Sequence, residues 1–518
     1  MKNYVVKLVG VILLFIFSIN IMVVNIMTVN AAEITAEVSI EVKAGMEQNL
    51  ILMQTFYWEM NRGEYAEEHP EEAYLWQLLA DRAYYLSDLG FTGLWLPPAN
   101  KADGGEDDEG YAAYDLWDLG EFHQKGSIRT KYGTKPGLEW AVKILRQNGI
   151  DIYYDAVFNH RMGGDRLEDV VLNGEEVETA SSFKLLGRDD HYSNADIWKW
   201  NWLCFDGINS MLFSNKTWDS TVDKDYLMGY DVDYQNELVV EEMKEWGEWI
   251  VNDIGFDGFR IDAVKHIDND FINEWVYHLQ SKSEKDLIFL SEAWYEDVMG
   301  LILYLNEMNN GNIRVFDFAL RRAFSYMSEG QLNMNSLARA GLVNREGYGD
   351  RVVTFVDNHD TGRDEVEYTP AISRRKLQAY TYILCRADGI PMVFWKDFYN
   401  SGIKEEMERL ILARKYFAYG PGYEMSDDSG NDTNDSDIYS YVREGLKDIP
   451  GTGLVMMIAG GDSRELVSKK INSYQENQAY YDFTGNVHGV IRTDSEGYAD
   501  FKVYDSEDKG WAVWVPLL

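Results

Sequence analysis

The sequence predicts an α/β protein: a (β/α)8 TIM barrel with a subdomain inserted after its third strand and an antiparallel β-sandwich domain at the C-terminal end. Three observations predict it. Eight apolar, β-rich runs recur along the chain, mostly separated by amphipathic helical stretches. One gap between runs is far too long and polar for a single helix. After Gly420 the pattern changes to short alternating stretches.

Residues 1–32 are set aside first. Lys2 and Lys7 form a short basic start, 9–27 is almost wholly apolar, and Thr28 to Ala32 supplies the small residues of a cleavage site. That is the pattern of an export signal, with an uncleaved anchor as the alternative. No cysteine stands near the junction to carry a lipid. A linker is expected over 33–48. The first part of the barrel is expected over 49–160, the inserted subdomain over 161–230, the rest of the barrel over 231–420 and the C-terminal domain over 421–518. The strand runs are 50–58, 91–97, 150–158, 256–262, 287–294, 315–320, 352–356 and 390–395. Helical periodicity fills 76–89, 138–147, 240–252 and 271–281 between them. The insert, rich in Trp, Asp and Asn, leaves the barrel where the third strand ends and should wall one side of a cleft there. In the last domain, 453–458, 478–483 and 510–515 read as strands. The acidic run 426–437 reads as a solvated loop, with calcium binding as its alternative.

A chain of 518 residues can bury a large core. Its formal net charge of -39 argues against nucleic acid as a partner and suits solubility outside the cell. Cys204 and Cys385 are the only cysteines, so no disulfide framework holds the fold, although a bond between the two is open. No stable membrane insertion is expected after cleavage, and the chain is expected to act as a monomer.

The chemistry sits where strands run out. Three segments, Gly258 to Asp262, Ile288 to Glu292 and Thr354 to Asp360, each end an apolar run in a carboxylate. Sites on parallel barrels are built at that end. Side chains alternate along a strand, so Arg260 and Asp262 point the same way. A guanidinium beside a carboxylate keeps it ionised, which suits a nucleophile, and a second carboxyl group nearby could serve as an acid. Two carboxyl groups with separate roles across one bond is the chemistry of glycoside hydrolysis. His160, His266 and His359 also fall just behind strand ends, three of the chain's eight histidines, which favours a functional rim over isolated structural residues.

Together, DAVFNH (155–160), GFRIDAVKH (258–266), FLSEAW (289–294) and FVDNHD (355–360) resemble the four signature regions of glycoside hydrolase family 13, the α-amylase family. The segment 110–135, GYAAYDLWDLGEFHQKGSIRTKYGTK, is similar to that of the liquefying bacterial members, and the likeness runs from Leu50 to the C-terminus. The resemblance implies Asp262 as nucleophile, Glu292 as general acid and base, and Asp360 as the group that favours the distorted sugar of the transition state. It implies that Arg260 orients Asp262, that His160 and His359 donate hydrogen bonds to the same sugar, and that Tyr111 stacks on it. Lys265 and Trp294 would contact the leaving-group side, and Asp155 would brace Arg260. A core role for Tyr111 stays open.

The resemblance also implies a structural Ca2+ held by Asn159, Asp225, Asp231 and the backbone carbonyl of His266. A further cluster holding Na+ or a second Ca2+ would fall on Asp206, Asp219 and Asp233. There the sequence departs from the group, with Gln235 in place of an Asp and a shortened stretch from Asp219 to Asp225. Ordinary turn chemistry is the alternative for these acids. The implied activity is secreted, endo-acting hydrolysis of internal α-1,4-glucosidic bonds in starch, glycogen and maltooligosaccharides, with retention by double displacement. An exo-acting or transglycosylating relative shares every motif. A non-catalytic starch-binding protein would need no raised acid.

Overall fold

The computed structural model describes residues 49–185, 200–219, 228–364, 369–426 and 437–517. The expected export signal and linker, Asp225, and nearly all of the acidic run 426–437 lie outside the described residues. Among the described residues no helix is long and apolar enough to cross a membrane.

Eight parallel strands close into a barrel, each hydrogen-bonded to its neighbour in sequence and the last to the first. They are β1 (Leu52–Gln54), β2 (Gly93–Trp95), β3 (Asp151–Ala156), β4 (Gly258–Ile261), β5 (Ile288–Ser291), β6 (Ile313–Phe316), β7 (Val352–Phe355) and β8 (Ile390–Phe394). A helix follows each: α1 (Leu75–Leu89), α2 (Lys135–Gln147), α3 (Glu237–Trp249), α4 (Asn269–Lys282), α5 (Val298–Glu307), α6 (Phe318–Ser328), α7 (Lys376–Cys385) and α8 (Lys404–Phe417). The strands are buried by the barrel interior on one side and the helices on the other, which is why they read as continuous apolar runs. In α1 the buried face is Leu75, Trp76, Leu79, Ala83 and Leu86, at helical spacing.

All eight strand runs hold strands shorter than the run, and one run passes well into a helix. The run 315–320 reads as a strand to its end, yet β6 stops at Phe316 and α6 starts at Phe318. Asp317 explains the break, because its side chain accepts the Leu320 N–H and caps the helix.

Between β3 and α3 the chain forms a four-stranded antiparallel sheet in the order Met211–Leu212, Phe205–Ile208, Tyr230–Val232, His160–Arg161. A hairpin of Arg166–Leu172 and Glu175–Ser182 adjoins it. Phe183, Trp200, Phe205 and Tyr230 form its aromatic centre, and the Arg161 guanidinium lies 4.7 Å over Trp200. Its first strand is the direct continuation of β3, so the insert is hinged at the rim that carries the carboxylates.

Beyond Gly420 a six-stranded sheet runs in the order Gly422–Glu424, Ile438–Arg443, Leu454–Ala459, Trp511–Pro516, Ala479–Asp482, Val490–Arg492. The pair Leu466–Asn472 and Tyr498–Tyr504 covers one face, where Val455, Met457, Phe501, Val503 and Trp514 form a separate core. The alternate residues Tyr439, Tyr441, Met456, Ile458 and Val513 join the main core of the barrel. Both faces of the central strands are therefore dry, which gives Ile438–Arg443 and Leu454–Ala459 their unbroken burial.

Candidate active site

Arg260 organises the rim. It lies in register with Asp155 on β3, so the two side chains point the same way, and both are fully buried. Its Nη1 donates to Asp155 Oδ1 at 2.7 Å and to Asp262 Oδ1 at 2.6 Å. Its Nη2 lies 2.6 Å from Glu292 Oε1, an ion contact at an angle outside hydrogen-bonding range. Asp155 is braced in turn by Trp95 Nε1 at 3.0 Å and Tyr111 Oη at 2.7 Å. Ala263, just past Asp262, adopts a left-handed conformation (φ +49°) that aims its N–H at Glu292 Oε2, 3.0 Å away. A side chain with a Cβ pays to sit there, so the turn is held by its surroundings.

Burial is the largest influence on each acid and raises it, while Arg260 opposes the rise. Asp262 is raised to about 6, with Asp155 and Asp360 adding to burial. Glu292 goes higher, to about 8, because the negative charges of Asp262 and Asp360 add to its burial. The extra negative charge around Glu292 makes it the group of the pair that keeps a proton and leaves Asp262 the more readily ionised.

The cleft above them has a volume of about 530 Å³. Asp262, Glu292, Asp360, Tyr111, His160, Lys265, Trp294, His266 and His359 all line it, with Arg260 in the floor beneath. Tyr111 is part of an aromatic wall, parallel to the His359 ring at 5.1 Å and stacked with Trp58 at 5.8 Å. Trp294 rests one face on Phe318, 4.7 Å between centroids. Lys265 Nζ lies 5.0 Å over Tyr295.

Both rim histidines are held neutral by burial, His160 at about 4 and His359 at about 3. Gln54 on β1 bonds to His359 Nδ1 at 2.9 Å and accepts its backbone N–H at 3.2 Å, so the ring proton sits on Nε2, 3.3 Å from Asp360. His359 thereby has a donor free on its Nε2 side, the role the family resemblance implies for it. His160 differs. Its Nε2 bonds to the Tyr111 carbonyl at 2.9 Å, and a carbonyl can only accept. The proton is on Nε2, and the buried, unpartnered Nδ1 is an acceptor. Sequence reasoning expects a donor here, and the tautomer reverses it.

Trp58, Met228 and Arg363 also line the cleft, and Gln54 supports it, without having been singled out in the sequence. Trp58 and Gln54 lie in the first strand run, so the strand-end rule that finds Asp262 could have found them. Met228 and Arg363 belong to loops and carry no such signal.

The expected metal residues fall together differently from the two expected sets. Asp206, Asp219 and Asp231, all buried, bring carboxylate oxygens within 4.8 Å of one another. Asp231 thus joins Asp206 and Asp219, whereas Asp233 is drawn into an ion pair with Lys216. Asn159 is buried on the adjoining strand end, and its backbone carbonyl accepts the Val232 N–H at 3.0 Å. Burial and neighbouring carboxylates raise Asp206 to about 9 and Asp231 to about 8, and Asp231 Oδ1 is buried without a partner. Hard oxygen donors with an unpartnered carboxylate among them fit a cation such as Ca2+. His266 ends the single turn Val264–His266 and lines the cleft.

Comparison with known proteins places these features. Residues 73–406 match the family model "Alpha amylase, catalytic domain". The chain is 36% identical over 501 residues to an α-amylase of Bacillus licheniformis, covering 89% of this chain and 93% of that one. It is 33% identical over 504 residues to the glucan 1,4-alpha-maltohexaosidase of Bacillus sp. (strain 707), covering 89% and 92%. It is 32% identical over 515 residues to the cytoplasmic α-amylase of Escherichia coli (strain K12), covering 90% and 99%. In fold it resembles the α-amylase of Geobacillus thermoleovorans complexed with acarbose, with a TM-score of 0.60 over 91% of this chain and 98% of that one at 17% identity.

Proposed function

The chain belongs to the α-amylase family of glycoside hydrolases, and from that premise we propose that it cleaves internal α-1,4-glucosidic bonds of starch, glycogen and maltooligosaccharides with retention of configuration. The observation that carries this reading is the sharing of one guanidinium by Asp262 and Glu292 on adjacent strands. Sharing one guanidinium keeps the two carboxyl groups close, which supports a retaining mechanism, in which the pair stands about 5 Å apart rather than the 6.5–9.5 Å or so of inverting enzymes.

In the first step Asp262 attacks C1 and forms a glycosyl ester as Glu292 passes its proton to the departing glycosidic oxygen. In the second, Glu292 takes a proton from water as that water attacks C1 and the ester bond to Asp262 breaks. Asp360 and His359 Nε2 take the hydroxyls of the sugar in the cleft, and the Tyr111 face supports its ring. His160, its Nε2 bonded to the Tyr111 carbonyl, holds the backbone that presents the Tyr111 ring.

Asp206, Asp219 and Asp231, with Asn159 beside them, would hold Ca2+, and the resemblance adds Asp225 and the backbone carbonyl of His266 to the ligands. Bound there, the ion supplies charge neutralisation and cross-links the insert to the rim. Asp231 is in register with His160, so order in the cluster passes directly to the cleft wall. The export pattern of residues 1–32 supports action outside the cell. Among the relatives, one is named a cytoplasmic α-amylase and another a glucan 1,4-alpha-maltohexaosidase, so location and product length are decided by experiment.

The test is a time course on soluble starch with viscosity and anomeric NMR. A rapid fall in viscosity with initially α-configured mixed oligosaccharides is expected. A single short product with slowly falling viscosity supports exo action, and initially β-configured products overturn retention.

A further inference from the structure

A second cavity, of about 570 Å³, lies at the opposite end of the barrel from the cleft, where the starts of β1, β6, β7 and β8 meet the C-terminal domain. Its floor is cationic. Arg414 of α8 and Arg443 at the end of a central C-terminal strand are both buried, at 3% and 7% exposure. Every hydrogen bond their side chains make among the described residues goes to a backbone carbonyl. Arg414 donates to Leu50, Leu384 and Arg386, and Arg443 to Gly420 and Arg386. Neither has a carboxylate within ion-pair distance among the described residues. Arg314 of β6 is a third lining guanidinium, and its Nε is buried without a partner. The acids of the cavity, Asp350 and Asp388, are exposed at its rim, and Asp388 attracts Arg443 from there.

Two guanidiniums buried side by side without an anion repel each other at low dielectric. Consistently, burial and then the like charge of Arg443 pull Arg414 down to about 9. Carbonyl dipoles offset only part of that cost. Arg in this setting is matched to planar or tetrahedral oxyanions through paired N–H donors. The remaining wall, including Leu50, Ile390 and Tyr419, is apolar.

We propose that this cavity is an oxyanion-binding site, taking a carboxylate, sulfate or phosphate group against Arg414 and Arg443 and so bridging the closed end of the barrel to the C-terminal domain. It is independent of the chemistry in the cleft.

The test titrates the whole protein with sulfate and with succinate by calorimetry, and records melting curves against sodium chloride at matched ionic strength. Sulfate is preferred to phosphate because phosphate precipitates calcium. Saturable binding and a rise in Tm beyond that in chloride are expected, since a ligand held only by the folded state raises stability. A response to sulfate alone identifies an inorganic oxyanion, and a response to succinate a carboxylate ligand. Arg443→Gln should weaken binding about tenfold or more, the scale of one charge-assisted hydrogen bond, with turnover of a short maltooligosaccharide unchanged. Should Arg443→Gln fail to fold, Asp388→Asn at the exposed rim carries the test, because loss of a repelling carboxylate should tighten binding. No saturable binding, a Tm gain no larger than in chloride, or an affinity unmoved by both substitutions would overturn the proposal.

Discussion

At the residue scale, one guanidinium sets three carboxylates to work. Arg260 braces itself on Asp155 and holds Asp262 and Glu292 where they can act in turn. Asp262→Asn should lower turnover by roughly 10⁴-fold or more while oligosaccharide binding persists, as measured by steady-state kinetics and calorimetry. The pH profile of kcat/KM should fall below about 6 as Asp262 takes a proton. It should fall again above about 8 as Glu292 loses the proton it must donate. Asp360 is one of the negative charges that raise Glu292, so the residual activity of Asp360→Asn should show its alkaline limb moved to lower pH. An unmoved limb would separate Asp360 from the acid. The acids, Arg260 and the histidines are legible in the sequence because each sits at a fixed offset from a strand end. The His160 tautomer is not, since it depends on the Tyr111 carbonyl, 49 positions away. The hold of Gln54 on His359 spans 305 positions and escapes any local pattern.

At the scale of elements, the start of β4 has no room for a side chain beside β5. A Cβ on Gly258 would stand 2.0 Å from the Ile288 carbonyl oxygen, and the backbone there has φ +158°. Gly258→Ala should therefore spread β4 from β5, lowering both Tm and kcat. The turn after β4 offers a finer probe. Ala263→Val places a β-branched side chain in a left-handed conformation and should cost about 1–2 kcal/mol. It should also weaken the N–H contact to Glu292, so kcat falls along with stability, whereas Ala263→Gly should keep both. The eight barrel strands could be read from apolar runs because both of their faces are buried. The end of β6 was less legible, since Asp317 interrupts an apolar run only through its role as a cap. The strands of the insert were hidden for a different reason, namely that several are two or three residues long and too short for any period to show.

At the scale of the molecule, the insert and the C-terminal domain are both tied to the barrel through apolar core, and the insert adds an acidic cluster. The C-terminal sheet shares apolar core with the barrel, through Tyr439, Tyr441, Met456 and Val513. A chain ended at 420 should lose that cover and fail to give a cooperative melting transition, as judged by scanning calorimetry. The insert shares apolar core as well, through Phe183, Phe205 and Tyr230, and adds the acidic cluster proposed to hold Ca2+, so excess chelator should lower Tm, with His160 and the cleft wall loosening first. An unchanged melting curve after long equilibration would count against the metal. Composition and motif spacing indicated both additions to the barrel. They could not show that Asp231 groups with Asp206 and Asp219, because that depends on how two paired strands of the insert meet the loop at Asp219. The most direct test of the whole account is to trap the enzyme with an activated fluorinated maltosyl fluoride and to identify the modified peptide by mass spectrometry. The account predicts a single maltosyl adduct, esterified to Asp262. No adduct despite inactivation-free turnover of the reagent, or an adduct on Glu292 or Asp360, would contradict it.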